Sequence, residues 1–317
     1  MKKSFLAAMA MTAVCVTAPA GHAADNYGDI GVNDRLAAMG SNVRLAYAEF
    51  LGAKDAGFEG MKTVFFKDVG NKQLSSHWVP GDLRGQATTD VLYVTDTVDG
   101  VANCGPGCTI DSAITTDAIE RGMAEWDAIG CASLPIVNGG RFGEDLGFVQ
   151  FLVGTGGGAP FFFPGVITHG GWLPFEFFEA IGGPGGGSGI LGVTFTFIWG
   201  DFDADGNFIP SDIDNNGKTD VAFREIYMNN AFTWEIGNDR GRGVFDIEAV
   251  MFHEQGHALS QAHFGEISLN PQGKLIISPK DGDNVMLAAI GSNQQWEGFH
   301  GTDEGGHCSI WGTWPIH

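Results

Sequence analysis

Apolar residues along this chain fall into helical and strand-like rhythms that follow one another in a definite order. Between Asn33 and Leu51, the residues Leu36, Ala37, Val43, Leu45, Ala46 and Phe50 recur at helical spacing and predict a helix. The run Thr63-Val64-Phe65-Phe66 predicts a strand, and so does Asp90 to Val94. A helix is expected from Thr115 to Ile129, where Ile119, Met123 and Trp126 share one face. Leu146 to Val153 reads as a further strand. The stretch from Gly154 to Gly192 concentrates glycine with interspersed phenylalanine and proline and predicts mostly loop. Strands follow at Ile190 to Ile198 and Ala222 to Met228, and then a helix from about Ile247 to Leu259. Asp246 is a good N-cap for that helix, Glu248 suits its positive end, and Ile247, Val250 and Met251 form its apolar stripe. No internal repeat is present.

The N-terminus changes the compartment in which these elements must fold. Lys2 and Lys3 precede an apolar run from Phe5 to Ala18, followed by small residues ending Gly21-His22-Ala23-Ala24. This layout predicts a secretory signal peptide over 1–23, cut after Ala23, with Ala20 the alternative. Cys15 lies inside the apolar run and is not expected to carry a lipid. No other run approaches the ~20 apolar residues of a membrane span. The mature chain is therefore expected to be secreted, periplasmic or extracellular. Residues 24–76 read as an N-terminal extension or a pro-segment, and 77–317 as the main domain.

Charge and cysteine content narrow the partners. Seventeen basic against 38 acidic residues give a net charge of -21, which repels nucleic acid and anionic membranes and favours cations. Outside the leader the cysteines are Cys104, Cys108, Cys131 and Cys308, an even number in an oxidising compartment, so two disulfides are expected. Of three pairings, Cys104 with Cys108 across the Gly-Pro-Gly turn is favoured, leaving Cys131 with Cys308. A Cys-x-x-x-Cys zinc clip is the competing reading, but no second ligand pair lies near it.

The candidate chemistry sits in Phe245 to His263. His253 and His257 are four apart on the expected helix and project from one face, the spacing at which two imidazoles chelate one metal. Glu254, beside the first ligand, reaches a water at the metal without being a ligand. His263 lies six residues past His257, beyond the helix end, where a chain reversal brings it to a third corner. The bland alternative is a helix that happens to carry two histidines. Another takes the third ligand from Glu297 or Glu304, which His263 makes unnecessary.

This segment resembles the H-E-x-x-H-x-x-G-x-x-H signature of metzincin zinc proteases, and its surroundings, from about Asp90 to Trp311, are most similar to the matrixin branch. The resemblance implies an α+β fold: a twisted mixed sheet of about five strands with an antiparallel edge strand, an active-site helix, a methionine-containing turn and a C-terminal helix. It implies Arg224 to Asn229 as the edge strand, Asp283-Asn284-Val285-Met286 as the turn with Met286 beneath the metal, and Thr302-Asp303 capping the last helix. The implied activity is that of a secreted zinc endopeptidase with Glu254 as general base. A protein or peptide substrate would pair near Ile226, and Leu287 to Ile290 would set side-chain preference. Ser260 stands where the family has glycine, and a left-handed conformation there costs roughly 1 kcal/mol. Phe264 follows the third histidine in place of the usual subfamily markers. Cys104-Gly105-Pro106 is not a cysteine switch, since it follows the first catalytic-domain strand and has Cys108 beside it. Two other classes stay open: a catalytically silent zinc- and calcium-binding extracellular protein on this fold, and a non-peptidase zinc hydrolase.

Two acidic runs remain. Asp201, Asp203, Asp205 and Asp212, with Gly206 at the sixth position, fit the first half of an EF-hand-like loop, and Asp212, Asp214, Asn216 and Asp220 repeat the layout. Six aspartates within twenty residues repel one another unless a cation neutralises them, so one or two calcium ions are expected. The bland reading is a solvated acidic loop.

Overall fold

The computed structural model describes residues 31–54, 73–98, 102–237, 241, 243–264, 266–269, 275–278, 284–292, 294–296 and 298–316. The signal segment, the expected strand at Thr63 to Phe66, Asp283 and Glu297 lie outside the described residues. In chain order the elements are α1 (Val32–Ala38), β1 (Val43–Ala53), β2 (Ser76–His77), β3 (Val91–Asp96), α2 (Ser112–Asp127), β4 (Ile136–Phe142), α3 (Phe148–Val153) and β5 (Val166–Leu173). They continue with α4 (Phe175–Gly182), α5 (Gly186–Gly189), β6 (Ile190–Phe202), β7 (Phe208–Pro210), β8 (Thr219–Asn229), β9 (Thr233–Glu235) and β10 (Val244–Asp246). The last are α6 (Ile247–Ala258), β11 (Glu266–Leu269), β12 (Leu275–Ser278), β13 (Ala289–Ile290) and α7 (Gly301–Trp311).

The fold is α+β, built on a nine-stranded mixed sheet rather than about five strands. Its main path is β13-β1-β6-β8-β5-β3-β4, with β2 against β8 and β7 against β6. β8, β5, β3 and β4 run parallel, whereas β6 is antiparallel to both β8 and β1. Strand alternation sends side chains to two separate cores. Val193, Phe195 and Phe197 of β6 join Phe223 and Tyr227 of β8 against α1, α3 and α4. On the opposite face Ile226 and Met228 meet Trp126 of α2 and Val250 and Met251 of α6. The face that receives α6 is the one that matters for chemistry.

Four expectations are corrected. Asn33 to Leu51 is not one helix: α1 ends at Ala38, Gly40 with its left-handed φ of 67° turns the chain, and β1 then takes its backbone partners from β6. Short-range apolar spacing spans that join, so periodicity alone merges the two elements. The expected strand from Leu146 forms α3 instead, because the buried Glu225 carboxylate accepts from Phe148 N at 3.1 Å and Val149 N at 2.9 Å and caps it. Gly154 to Gly192 is not mostly loop, since β5, α4 and α5 lie within it and Phe177, Phe178 and Ile181 anchor α4 in the core. Glycine is needed there for closeness: a Cβ on Gly170 would lie 2.5 Å from the Tyr227 ring. Finally, Arg224 to Asn229 is no edge strand, for β8 lies between β6 and β5. A strand buried on both faces carries no sign of its place in the sheet order.

Disulfides join Cys104 to Cys108 and Cys131 to Cys308, with Cα separations of 5.6 Å in each. The second ties α7 to the end of α2, where Trp126 packs on Phe299 and His307. No helix among the described residues is long and apolar enough to cross a membrane. Replacing both Cys131 and Cys308 by alanine opens a crosslink across a sequence separation of 177. By the chain-entropy relation this is expected to lower stability by roughly 5 kcal/mol, against roughly 2 kcal/mol for the Cys104 and Cys108 pair. Urea denaturation of the two double variants measures the difference, and equal losses would refute the assignment of the long crosslink as the main staple.

Candidate metal centre

The centre is built on α6, whose start is fixed by the Asp246 carboxylate accepting from Ala249 N at 2.7 Å. One turn separates His253 from His257, so their rings project together, with Nε2 atoms 3.0 Å apart. The helix ends at Ala258 with Leu259 as its cap, and Ser260 beyond it takes φ 67°. Ser260 N donates to His257 O and Gln261 N to Gly256 O, a left-handed cap that reverses the chain and returns His263 to the site. His263 Nε2 then lies 3.1 Å from His257 Nε2.

The cost of serine in that conformation is offset by what surrounds it. The guanidinium of Arg224 donates to Ser260 Oγ at 2.9 Å and Ala258 O at 2.7 Å, and on its other side to Ser76 Oγ and Thr196 Oγ1 at 3.0 Å each. Trp78 and Trp311 indole nitrogens donate to Ala258 O and Leu259 O. The last carbonyls of α6, which no helix can satisfy internally, are thus met, and a cation stands at its negative end.

Tautomers follow from the other ring nitrogens. A carbonyl can only accept, so His253 Nδ1 donates to Val285 O at 2.6 Å and His257 Nδ1 to Gln261 O at 2.8 Å. Each neutral ring then turns an Nε2 lone pair inward. Burial disfavours protonation throughout: it holds His253 down to about 4, and it lowers His257 and His263 well below the usual range, aided by their neighbouring imidazoles. Three unprotonated nitrogens facing one point repel unless a cation lies between them. Tetrahedral zinc at the usual N distance would place such donors about 3.3 Å apart, close to the observed spacing. The donor set fits a borderline-soft divalent metal, and these residues are the ones that could hold it.

Beneath the rings, Met286 is buried with its sulfur against Gly256, where a Cβ would have no room. Asp303, three residues into the capping box of α7, accepts from Val285 N at 3.0 Å, Met286 N at 3.2 Å and His300 N at 3.2 Å. The turn that carries the Val285 carbonyl to His253 is therefore positioned from α7. Glu304 is exposed on α7 and does not enter the site.

Glu254 is buried, and that burial raises its carboxyl well above the ordinary carboxylate range. Its Oε2 accepts from Thr194 Oγ1 at 2.6 Å and its Oε1 from Leu51 N at 3.2 Å. Gly192 leaves it space, since a Cβ there would lie 3.0 Å from Oε1. No protein-family model matches the chain, and no curated protein matches it. Sequence reasoning missed Leu51, Thr194 and Arg224, and it expected Thr302-Asp303 as the cap of the last helix, where the N-cap is His300 and Asp303 stands at the third helical position.

The acidic runs separate. Asp201 lies in β6 opposite Ile209, and Asp203 turns the β6–β7 hairpin, its carboxylate held below the usual range by Asn207. Asp205 is exposed beside it. Asp212, Asp214 and Asp220 instead bring carboxylate oxygens within 4.8 Å of one another. Asn216 lies over them, its backbone N donating to both Asp212 and Asp214. Asp220 also pairs with Arg84 at 2.7 Å.

The folded His253 ring titrates at about 4 against 6.5 for a free imidazole. As pH falls through 6.5 the unfolded chain takes up a proton that the folded one refuses, so stability is present above 6.5 and lost toward 4. The metal-free protein is expected to show a falling melting temperature across that window. A flat profile from pH 7 to 4 would contradict the neutral, inward-facing rings.

Proposed function

We propose that this chain is an exported, zinc-dependent endopeptidase of the metzincin type, with matrixin-like organisation. The observation that carries the reading is the convergence of three neutral Nε2 donors from His253, His257 and His263 beside the buried Glu254 carboxylate. Supporting it are the order of strands and helices around α6, the left-handed reversal at Ser260 and the buried Met286. Two disulfides fit an oxidising compartment.

His253, His257 and His263 would hold the ion, and zinc bound there would supply Lewis acidity toward a peptide carbonyl and water. Glu254, oriented by Thr194, takes the proton of the attacking water and passes it to the leaving amine. Met286 and the Asp303-braced turn keep the rings in place. A substrate main chain does not pair near Ile226 as the resemblance implies, because β8 has neighbours on both sides. A catalytically silent zinc protein would have no use for a carboxylate held in this position by two donors.

Glu254→Ala is expected to retain stoichiometric zinc and lose at least about a hundredfold in cleavage of denatured protein, whereas His263→Ala loses zinc and activity together. Elemental analysis beside zymography reads both, and near-wild-type turnover in the zinc-replete Glu254 variant would sink the reading. We assign calcium to Asp212, Asp214 and Asp220 alone. Chelated protein given zinc plus millimolar calcium is then expected to melt higher than protein given zinc only, and Asp214→Asn to remove that difference. An unchanged melting temperature on adding calcium to the wild type would reduce the cluster to a solvated loop.

A further inference from the structure

We propose that a cavity between β5 and the start of α2 is a second binding site, apart from the histidine centre, that takes one uncharged hydroxyl oxygen, of water or of a small alcohol. It lies where the sheet changes the direction of its connections. From β3 the chain crosses through α2 to β4 on one side of β3, and β5 then pairs with the other side, all three strands running parallel. α2 packs in the core shared with α6, whereas α4, which follows β5, packs in the opposite core. Connections that leave neighbouring parallel strands for opposite faces open a crevice beyond the carboxyl ends of those strands, where open α/β sheets hold their ligands. The cavity occupies that crevice. Asp96 ends β3, His169, Gly171 and Trp172 come from the later part of β5, and Ser112 and Thr115 from the first turn of α2.

Two glycines bring the polar rings to one side. His169 and Trp172 are three apart, and in a regular strand they would face opposite sides of the sheet. In β5, Gly170 and Gly171 together face the single Tyr227 of β8, so that His169 pairs with Ile226 and Trp172 with Met228. This is a β-bulge, with Gly171 at a left-handed φ of 90°. Ile226 and Met228 both belong to the core on the α2 side, so the bulge turns both rings that way.

The groups gathered there are buried without partners. Neither ring nitrogen of His169, nor the Trp172 indole nitrogen, nor the Thr115 hydroxyl makes a hydrogen bond among the described residues. The Thr95 hydroxyl, in register with His169, is unpaired as well. The Asp96 carboxylate, by contrast, accepts from Val98 N at 2.6 Å and Leu146 N at 2.7 Å. One buried polar group left unpaired is costly, and several around one cavity mark a place for something that pairs with them.

The same groups define the occupant. Burial pulls His169 down to about 3, so its ring is neutral and offers one donor and one acceptor. An indole can only donate, and a hydroxyl does either. An anion would meet the Asp96 carboxylate, and a cation would meet the indole N–H. The cavity measures about 10 Å³, the room of a single water. An uncharged oxygen carrying its own O–H accepts from Trp172 and exchanges hydrogen bonds with Thr115 and one edge of His169.

Wild type and Thr115→Val, which keeps the shape and removes the hydroxyl, are crystallised without alcohols and again after soaking in methanol, and melted in both conditions. In the wild type an ordered oxygen is expected within about 3.2 Å of Thr115 Oγ1 and of a ring nitrogen of His169 or Trp172. Found without alcohol, it assigns the site to water. Found only with methanol, together with a saturable rise in melting temperature that the variant lacks, it assigns the site to alcohols. Found only with methanol and without that rise, it is an adventitious additive only and overturns the proposal, as does density in neither crystal. In the condition that shows the oxygen, Thr115→Val is expected to melt about 2–4 °C below wild type, because it strips the bound group of a partner. A variant that melts as high as the wild type or higher would overturn the site, since a hydroxyl buried without a partner is one the fold gains by losing. The wild-type density decides the case even where the variant fails to fold.

Discussion

Three imidazole lone pairs pointed at one dry spot are the constraint on which the rest of this structure turns. Burial keeps the rings neutral, and neutral rings this close repel through their lone pairs. They stay together because separate segments hold them from behind: the turn at Val285, the chain reversal at Gln261 and the β1 carbonyl of Phe50. Each backing segment is itself held by something distant in sequence. A cation placed among the nitrogens removes the repulsion, so its binding free energy is in part folding free energy for α6, its reversal and the turn.

Two buried charges carry that support outward. Arg224, pushed down to about 9 by burial, joins β2, β6 and β8 to the end of α6 through its hydrogen bonds. A lysine could not do so, because one ammonium cannot present a rigid fork to partners on opposite sides. The negative end of α6 and the field of Glu49 supply the compensation that a direct carboxylate partner would otherwise give. Asp303 does the same work with opposite sign, its carboxylate filled by amides from the turn and from its own helix. Burial raises its carboxyl and those amides oppose the rise. Both groups are expensive to bury and act by fixing geometry around the three histidines.

What is legible in the sequence is what local chemistry encodes. The cap at Asp246, the four-residue histidine spacing and the following His263 define the centre because a helix and one reversal suffice to assemble it. Likewise the Gly-Pro-Gly turn points to the Cys104 and Cys108 pairing, which leaves the other pair no choice. Illegible are the features decided by partners far along the chain. Glu225 makes a helix of an apolar run that reads as a strand, and β1 is a strand because β6 offers it an edge. Sheet order is hidden for a related reason: β8 is apolar and buried on both faces, and nothing in its sequence shows that it lies inside the sheet between β6 and β5. Among the acidic runs the repeat layout is real in sequence, yet only the second folds its carboxylates together, since the first is taken up by the β6–β7 hairpin.

The helical rhythm of β1 is overridden for a physical reason. Residues 43–53 satisfy their backbone by pairing with β6 and β13, so their local sequence need specify little. Register comes from those neighbours, with Glu49, Phe50 and Leu51 opposite Thr194, Val193 and Gly192, and Gly52 and Ala53 opposite Ala289 and Ile290. The same strand reaches two of the groups on α6 and its reversal: Leu51 N donates to Glu254 Oε1, and the Phe50 carbonyl backs the His263 ring. A strand that its own sequence specifies weakly therefore fixes both the carboxylate and one of the three rings.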